Sequence, residues 1–373
     1  MKRLRVGVVG VGHLGQHHAR ILASLPDVEL VAVVDSRPEQ AQTIADKFGS
    51  RAVSDYHQLL DRIDAVSIAV PTMLHREVAG TFLSRGIPTL VEKPLASSLA
   101  EAELLVSLSH STGALLQVGH IERFNPALSA LHQMAIRPKY ISAERLSTYT
   151  FRSTDIGVVL DLMIHDIDLV LSLVSAPVRS VSAVGVSLFG EHEDVANARV
   201  EFENGTVANL TASRASYTAL RKMRIWSTEG YASLDFAAKS ATLVQPSGEF
   251  LSGQLDLDGV DLSQPMAVKE HLFGKVLRVD QVQTAGREPL ALEIEDFVQA
   301  LRGGTRPRVG GDDALRAMRL ADQILKSLNA HHWDGDAAVT PLPAQPIEST
   351  SVLRGPHAWR LKNRRQNPSA AGH

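Results

Sequence analysis

Gly10-Val11-Gly12-His13-Leu14-Gly15 sets three glycines in the G-x-G-x-x-G spacing, directly behind the apolar run Leu4–Val9 and ahead of residues 13–25, whose apolar positions recur at helical spacing. Strand, tight turn and helix in that order leave few folds open. In such a unit Gly10 allows the turn, Gly12 lets the backbone approach a pyrophosphate, and Gly15 lets helix and strand pack closely. The helix N-terminus, entered through His13 and Leu14, then faces the anion. A second apolar run, residues 30–34, ends in Asp35, about 20 residues beyond Gly15, where a carboxylate can hydrogen-bond the adenosine ribose diol. These flanks separate the motif from an ordinary glycine-rich turn and predict a bound dinucleotide. An acid at 35 repels a 2′-phosphate and favours NAD, while Ser36 and Arg37 keep NADP open as the second choice.

Helix and strand patterns then alternate. Helices are expected near residues 38–48, 75–85 and 99–111, and strands at 65–70, 89–92 and 114–118, the pattern of a doubly wound parallel sheet. The fold class expected is α/β: an N-terminal Rossmann domain over residues 1–120, then an α/β domain over residues 121–330 built on a large open, mainly antiparallel sheet. Longer alternating segments at 178–187, 195–203 and 206–212, separated by turns such as Glu203-Asn204-Gly205, supply that sheet. Helices at 290–301 and 312–328 are expected to close the fold. An open sheet with an apolar face needs a cover, so a homo-oligomer, dimer or tetramer, is expected. Residues 331–373 turn polar and proline-rich and carry Arg354, Arg360, Lys362, Arg364 and Arg365, which reads as a disordered tail.

Composition narrows the partners. The 373 residues carry a formal net charge of −3, which gives no electrostatic case for nucleic acid or an anionic membrane and points to a small-molecule substrate. Zero cysteines exclude disulfides and thiolate chemistry. Residues 1–5 lead straight into the first strand, leaving no room for a signal peptide, and no apolar run approaches the ~20 residues of a membrane span. A cytoplasmic location is expected.

A nicotinamide transfers hydride, so the protein must handle the proton of the reacting hydroxyl. Two places offer groups for that. Glu92-Lys93-Pro94 lies at the carboxyl end of a parallel strand, where ligands bind in open α/β sheets. Asp161, His165 and Asp168 lie at i, i+4 and i+7 within the apolar run 158–174, and so share one face of an expected helix. A neutral His165 can accept the substrate proton, and a neighbouring carboxylate can orient it and support the imidazolium. A core histidine or a structural ion pair is the plainer reading of the same residues. With no cysteine and only two ligands at good spacing, no metal site is expected. Arg123 and Asn125, just after the last Rossmann strand, can reach nicotinamide or sugar hydroxyls; Arg123 serves equally well as a structural ion-pair partner.

Taken together, GVGHLG, Asp35, Pro71-Thr72 followed by His75, Glu92-Lys93-Pro94 and Asp161-x-x-x-His165 resemble the glucose-fructose oxidoreductase and inositol dehydrogenase (Gfo/Idh/MocA) family over residues 1 to about 330. The resemblance implies catalytic roles for Lys93, Asp161 and His165, with His165 exchanging the hydroxyl proton and Lys93 binding the reacting oxygen. It also implies cofactor contacts from the glycine turn, Asp35 to Arg37, Pro71, Thr72, His75, Glu92 and Lys93, and substrate contacts from Lys93, Arg123, Asn125, Asp161 and His165. The chain departs from the family in reading Ile156-Gly157-Val158, where paired glycines are common, and in placing Met163 near the histidine. Residues 119–126 (GHIERFNP) and 155–169 resemble a subgroup that oxidises C3 of UDP-N-acetylglucosamine for 3-amino sugar synthesis, for lipid A or a surface polysaccharide. NAD-dependent oxidation of a secondary sugar hydroxyl is the resulting expectation, with a nucleotide sugar as leading substrate. The alternatives are an enzyme acting on a free sugar, inositol or other small carbonyl compound, and a non-catalytic nicotinamide-binding sensor.

Overall fold

The computed structural model describes residues 2–149, 156–189, 191–253, 263–283 and 286–332. The expected tail, with its five basic residues, lies outside this range apart from its first two positions. The chain divides into two units, Met1–Ala130 with Gln283–Asp322, and Leu131–Val282 with the chain from Gln323 onward.

The first unit is built on six parallel strands: β1 (Leu4–Val9), β2 (Val28–Val34), β3 (Arg51–Val53), β4 (Ala65–Ile68), β5 (Thr89–Glu92) and β6 (Leu116–Gly119). Their order is β3-β2-β1-β4-β5-β6, with every pairing parallel. Chain direction across the sheet reverses between β1 and β4, and at such a switch point the crevice beyond the strand ends receives ligands. The strands read as near-continuous apolar runs because helices cover both faces: α1 (Gly15–Ser24), α2 (Pro38–Phe48), α3 (His75–Leu83) and α4 (Leu99–Thr112). Sequence-expected boundaries agree to within a few residues, and α2 and β5 agree to the residue. The three-residue β3 is an addition, too short to show a periodicity.

A second difference concerns the later helices. Pro289–Gly303 buries Ile294, Phe297 and Val298 in the same core as Val6, Val8, Ile21, Leu22 and Leu90. Residues 283–322 therefore belong with the nucleotide-binding sheet, whereas the expectation assigned them to the domain beginning at 121. The Val118 N–H donates to the Val309 carbonyl at 3.1 Å, pinning the returning segment beside β6.

The second unit carries an eight-stranded sheet in the order β14-β13-β12-β11-β7-β10-β9-β8. Its strands are β7 (Tyr140–Leu146), β8 (Val178–Val186), β9 (Val195–Phe202), β10 (Val207–Ser213), β11 (Leu220–Ser227), β12 (Gly230–Asp235), β13 (Ser240–Pro246) and β14 (Leu277–Gln283). β10 and β7 run parallel, and five further pairings are antiparallel. Burial alternates along β7, β9 and β10, as a sheet with one covered face requires. The inward residues Ile141, Ala143, Ala198, Val200, Leu210 and Ile225 are fully or almost fully buried. The covering helix is α5 (Ile164–Leu173), which is entered through a π-helical turn at Val159–Met163. No helix among the described residues is long and apolar enough to cross a membrane.

Candidate active site

The glycine turn has the geometry that its spacing predicts. Gly10 has φ +83°, a left-handed value that side chains rarely adopt, and its N–H donates to the Val34 carbonyl at 2.8 Å. A Cβ on Gly15 would stand 1.7 Å from the Gly10 carbonyl oxygen, so only glycine lets α1 start this close to β1. A Cβ on Gly12 would meet nothing within 4 Å, so the turn is open where a phosphate would lie. No side chain caps α1 at Leu14, and His13 and Leu14 stand exposed beside it. The donor end of the helix and its partial positive charge thus face open space, which fits a pyrophosphate.

Asp35, at the end of β2, is almost buried. Its Oδ2 accepts the Val11 N–H at 3.1 Å and its Oδ1 the Arg37 N–H at 3.0 Å, so the carboxylate ties the glycine turn to the loop after β2. Both oxygens keep lone pairs for a ribose diol. Ser36 and the Arg37 side chain are exposed, with Arg37 Nε 3.5 Å from Asp35. Gln40, which the sequence reading missed, reinforces the turn: its Nε2 donates to the Val11 carbonyl at 2.8 Å from the first turns of α2.

At the end of β5, Lys93 is half-buried and the Lys93–Pro94 peptide is cis. Three side chains beneath it were not foreseen as a group. His18 of α1 is fully buried, with Nε2 2.9 Å from Glu92 Oε1 and Nδ1 2.8 Å from Ser67 Oγ of β4. A carboxylate only accepts, so Nε2 carries the proton toward Glu92. The second Glu92 oxygen accepts the Lys93 N–H at 3.2 Å. Burial pushes the Glu92 carboxyl up, but the His18 hydrogen bond and charge, with the charge and N–H of Lys93, outweigh it and hold the group below its usual range. Lys93 is therefore set beside a fixed anion.

His75 differs from its expected place among the cofactor contacts. Its ring is buried between the loop after β4 and the loop after β5, with Nδ1 2.8 Å from the Pro94 carbonyl and Nε2 3.0 Å from the Val70 carbonyl, and as a neutral ring it donates to one of the two. Burial depresses its pKa more strongly than the two carbonyls raise it. Pro71 and Thr72 open the short turn ahead of it and remain at least partly exposed. Beyond β6, Arg123 is half-buried, and its carbonyl accepts from Arg308 at 3.1 Å. Asn125 is buried: Oδ1 caps the Ala127 N–H at 3.0 Å and Nδ2 donates to Glu122 at 2.8 Å, so this side chain shapes the chain after β6.

In the second unit Asp161 and His165 are partly exposed, whereas Asp166 and Asp168 are buried. The π turn changes the register of Asp161 against the regular helix that carries His165 and Asp168. The turn widens the backbone between Val159 and Ile164, so the 3.6-residue period links His165 to Asp168 but does not run through to Asp161. Asp166 instead takes a bidentate bond from Arg145 of β7, at 2.9 and 3.0 Å, with both side chains nearly inaccessible. A pair this buried costs about 3–5 kcal/mol when one partner is removed, so it anchors α5, and with it His165, to the sheet.

A parallel six-stranded sheet with a glycine cradle at its switch point, an acid at the end of β2 and a lysine at the end of β5 defines a nicotinamide-dependent oxidoreductase. Residues 4–120 match the model of the oxidoreductase family with an NAD-binding Rossmann fold, and residues 131–233 match the GFO/IDH/MocA C-terminal domain. The chain is 36% identical over 331 residues to UDP-N-acetylglucosamine 3-dehydrogenase of Acidithiobacillus ferrooxidans, covering 88% of this chain and 99% of the relative. A solved structure of that protein superposes with a TM-score of 0.77 at 35% identity, over 88% and 99% of the two chains. The scyllo-inositol 2-dehydrogenase of Bacillus subtilis is 28% identical over 84% of this chain and 90% of its own. Levoglucosan dehydrogenase in complex with NADH and levoglucosan shares the fold, with a TM-score of 0.75 at 20% identity, over 88% and 98% of the chains. The chain belongs to the Gfo/Idh/MocA oxidoreductase family. It is an NAD-binding oxidoreductase acting on CH–OH groups.

Proposed function

We propose that the protein oxidises the C3 hydroxyl of UDP-N-acetylglucosamine to a ketone. The observation that carries this reading is the likeness to the Acidithiobacillus ferrooxidans enzyme over nearly all of that relative's length. Bound in the glycine cradle, NAD supplies the hydride acceptor, and the alcohol yields ketone, NADH and one proton.

The chain's own groups divide the remaining work. The Lys93 ammonium, held beside Glu92, donates to the reacting oxygen and favours its developing negative charge. His165 takes the hydroxyl proton, and Asp161, on the π turn, supports the charged ring. Gly10, Gly12 and Gly15 cradle the pyrophosphate, and Asp35 binds the ribose diol. Arg123 contributes to substrate binding, while Asn125 acts by shaping its turn. A cytoplasmic location accords with a supply of NAD and a nucleotide sugar. Partners beyond the substrate are further copies of the same chain, through the outer face of the eight-stranded sheet.

Lys93→Met and His165→Ala test the assignment directly. Each is expected to lower kcat by about 10²–10⁴-fold, with NADH still binding in a fluorescence titration. Wild-type turnover in both variants would overturn the roles given to them.

A further inference from the structure

We infer that Glu193 is a positioning residue for the proton-transfer pair, holding the first turn of the helix that carries Asp161 and His165. The inference rests on the roles proposed above for those two side chains. No side chain from its own first residue caps this helical segment at Val158. The caps come from a distant strand entry. The Glu193 carbonyl accepts the Val158 N–H at 2.9 Å, and Glu193 Oε1 accepts the Val159 N–H at 3.0 Å, in a buried position. These are two of the orphan donors that every helix start must place. An ionised carboxylate here gains both from a charge-assisted bond and from the positive end of the helix.

Gly157 is the counterpart of this arrangement. A Cβ at 157 would stand 2.0–2.2 Å from the Glu193 carboxylate, so no other residue leaves room for it. The glycine that remains ahead of the helix thus makes space for an acid. Asp194, the next residue, fixes the strand entry. It is fully buried, pairs with Arg214 Nε at 2.6 Å and accepts the Leu188 and Phe189 N–H groups. Arg214 in turn donates to the Ile156 carbonyl at 2.9 Å, so the latch grips the chain on both sides of Gly157.

The consequence reaches the reacting groups through the backbone. The Asp161 N–H donates to the Gly157 carbonyl at 3.0 Å, and the Ile164 N–H reaches back five residues to the Val159 carbonyl, the bond that makes the π turn. A shift at Val159 therefore changes the offset between Asp161 and His165. π turns are rare and depend on their surroundings, which gives an external cap more leverage than it has on a regular helix.

Glu193→Ala, Glu193→Asp and Gly157→Ala test this. All three are expected to lower kcat by about ten-fold or more, on whichever of UDP-N-acetylglucosamine, myo-inositol and glucose the wild-type protein oxidises. They should also move the pH limb of kcat and the His165 titration followed by NMR, with NADH affinity unchanged. Glu193→Gln, which keeps the acceptor oxygen, should restore most of the rate. Wild-type kcat and an unmoved His165 titration in the folded variants, with only a lower Tm, would show a purely structural cap and overturn the inference. If Glu193→Ala does not fold, Glu193→Asp and Glu193→Gln carry the same comparison. Full activity in His165→Ala would instead overturn the proposed proton transfer itself, a separable failure.

Discussion

Single residues show where a linear reading succeeds and where it stops. Gly10, Gly12 and Gly15 were legible because their requirement is backbone geometry within six positions, and the 1.7 Å approach at Gly15 is that requirement in physical form. His18 was not legible. Its partners Ser67 and Glu92 stand 49 and 74 residues away, and only the parallel sheet brings them under one helix. His75 was legible as a conspicuous residue but not in its role, because a buried ring between two carbonyls and an exposed ring on a cofactor look alike in sequence. Its depressed pKa has a thermodynamic consequence. Below the ordinary imidazole range the unfolded chain takes up a proton that folded His75 declines, so stability contributed by the neutral ring is present at higher pH and lost as pH falls. Between about pH 7.5 and about pH 5.5 the wild-type Tm should fall more steeply than that of His75→Gln. Parallel slopes would show that folding leaves the His75 titration where it stands in the unfolded chain, and would contradict this reading.

At the scale of elements, apolar runs and helical spacing located the parallel strands and their helices, since the strands bury both faces and each helix buries one continuous face. β3 escaped because three residues carry no period. The π turn escaped because a 3.6-residue template was laid over a wider one, and the offset expected between Asp161 and His165 rested on that template. The open sheet was legible from alternation, and its outward face can now be described. Tyr140, Trp226 and Tyr231 form a row with ring centroids 5.1 and 5.3 Å apart, and Trp226 stands 37% exposed. Aromatic groups clustered on an uncovered sheet are the usual core of a self-complementary interface. Trp226→Glu should therefore convert the assembled protein to monomer in sedimentation equilibrium. An unchanged mass, or a monomeric wild type, would remove this face as the interface.

For the whole molecule, the order of elements was legible and the grouping was not. Residues 283–322 return to the nucleotide-binding unit because Ile294, Phe297 and Val298 complete a core begun by Val6 and Leu22. Closure between segments so far apart leaves no local trace, and continuous boundaries were drawn in its absence. The proposed chemistry has the same property: Lys93 belongs to one unit and Asp161 with His165 to the other, so each is readable locally, while the roles proposed for them rest on the family resemblance. The most direct test of the central claim is product analysis on the whole protein. Incubated with NAD and UDP-N-acetylglucosamine, it should form one NADH per ketone, with the carbonyl, captured as its oxime, located at C3 by NMR. A carbonyl at any other carbon, or no NADH from this substrate while scyllo-inositol is oxidised, would contradict the account.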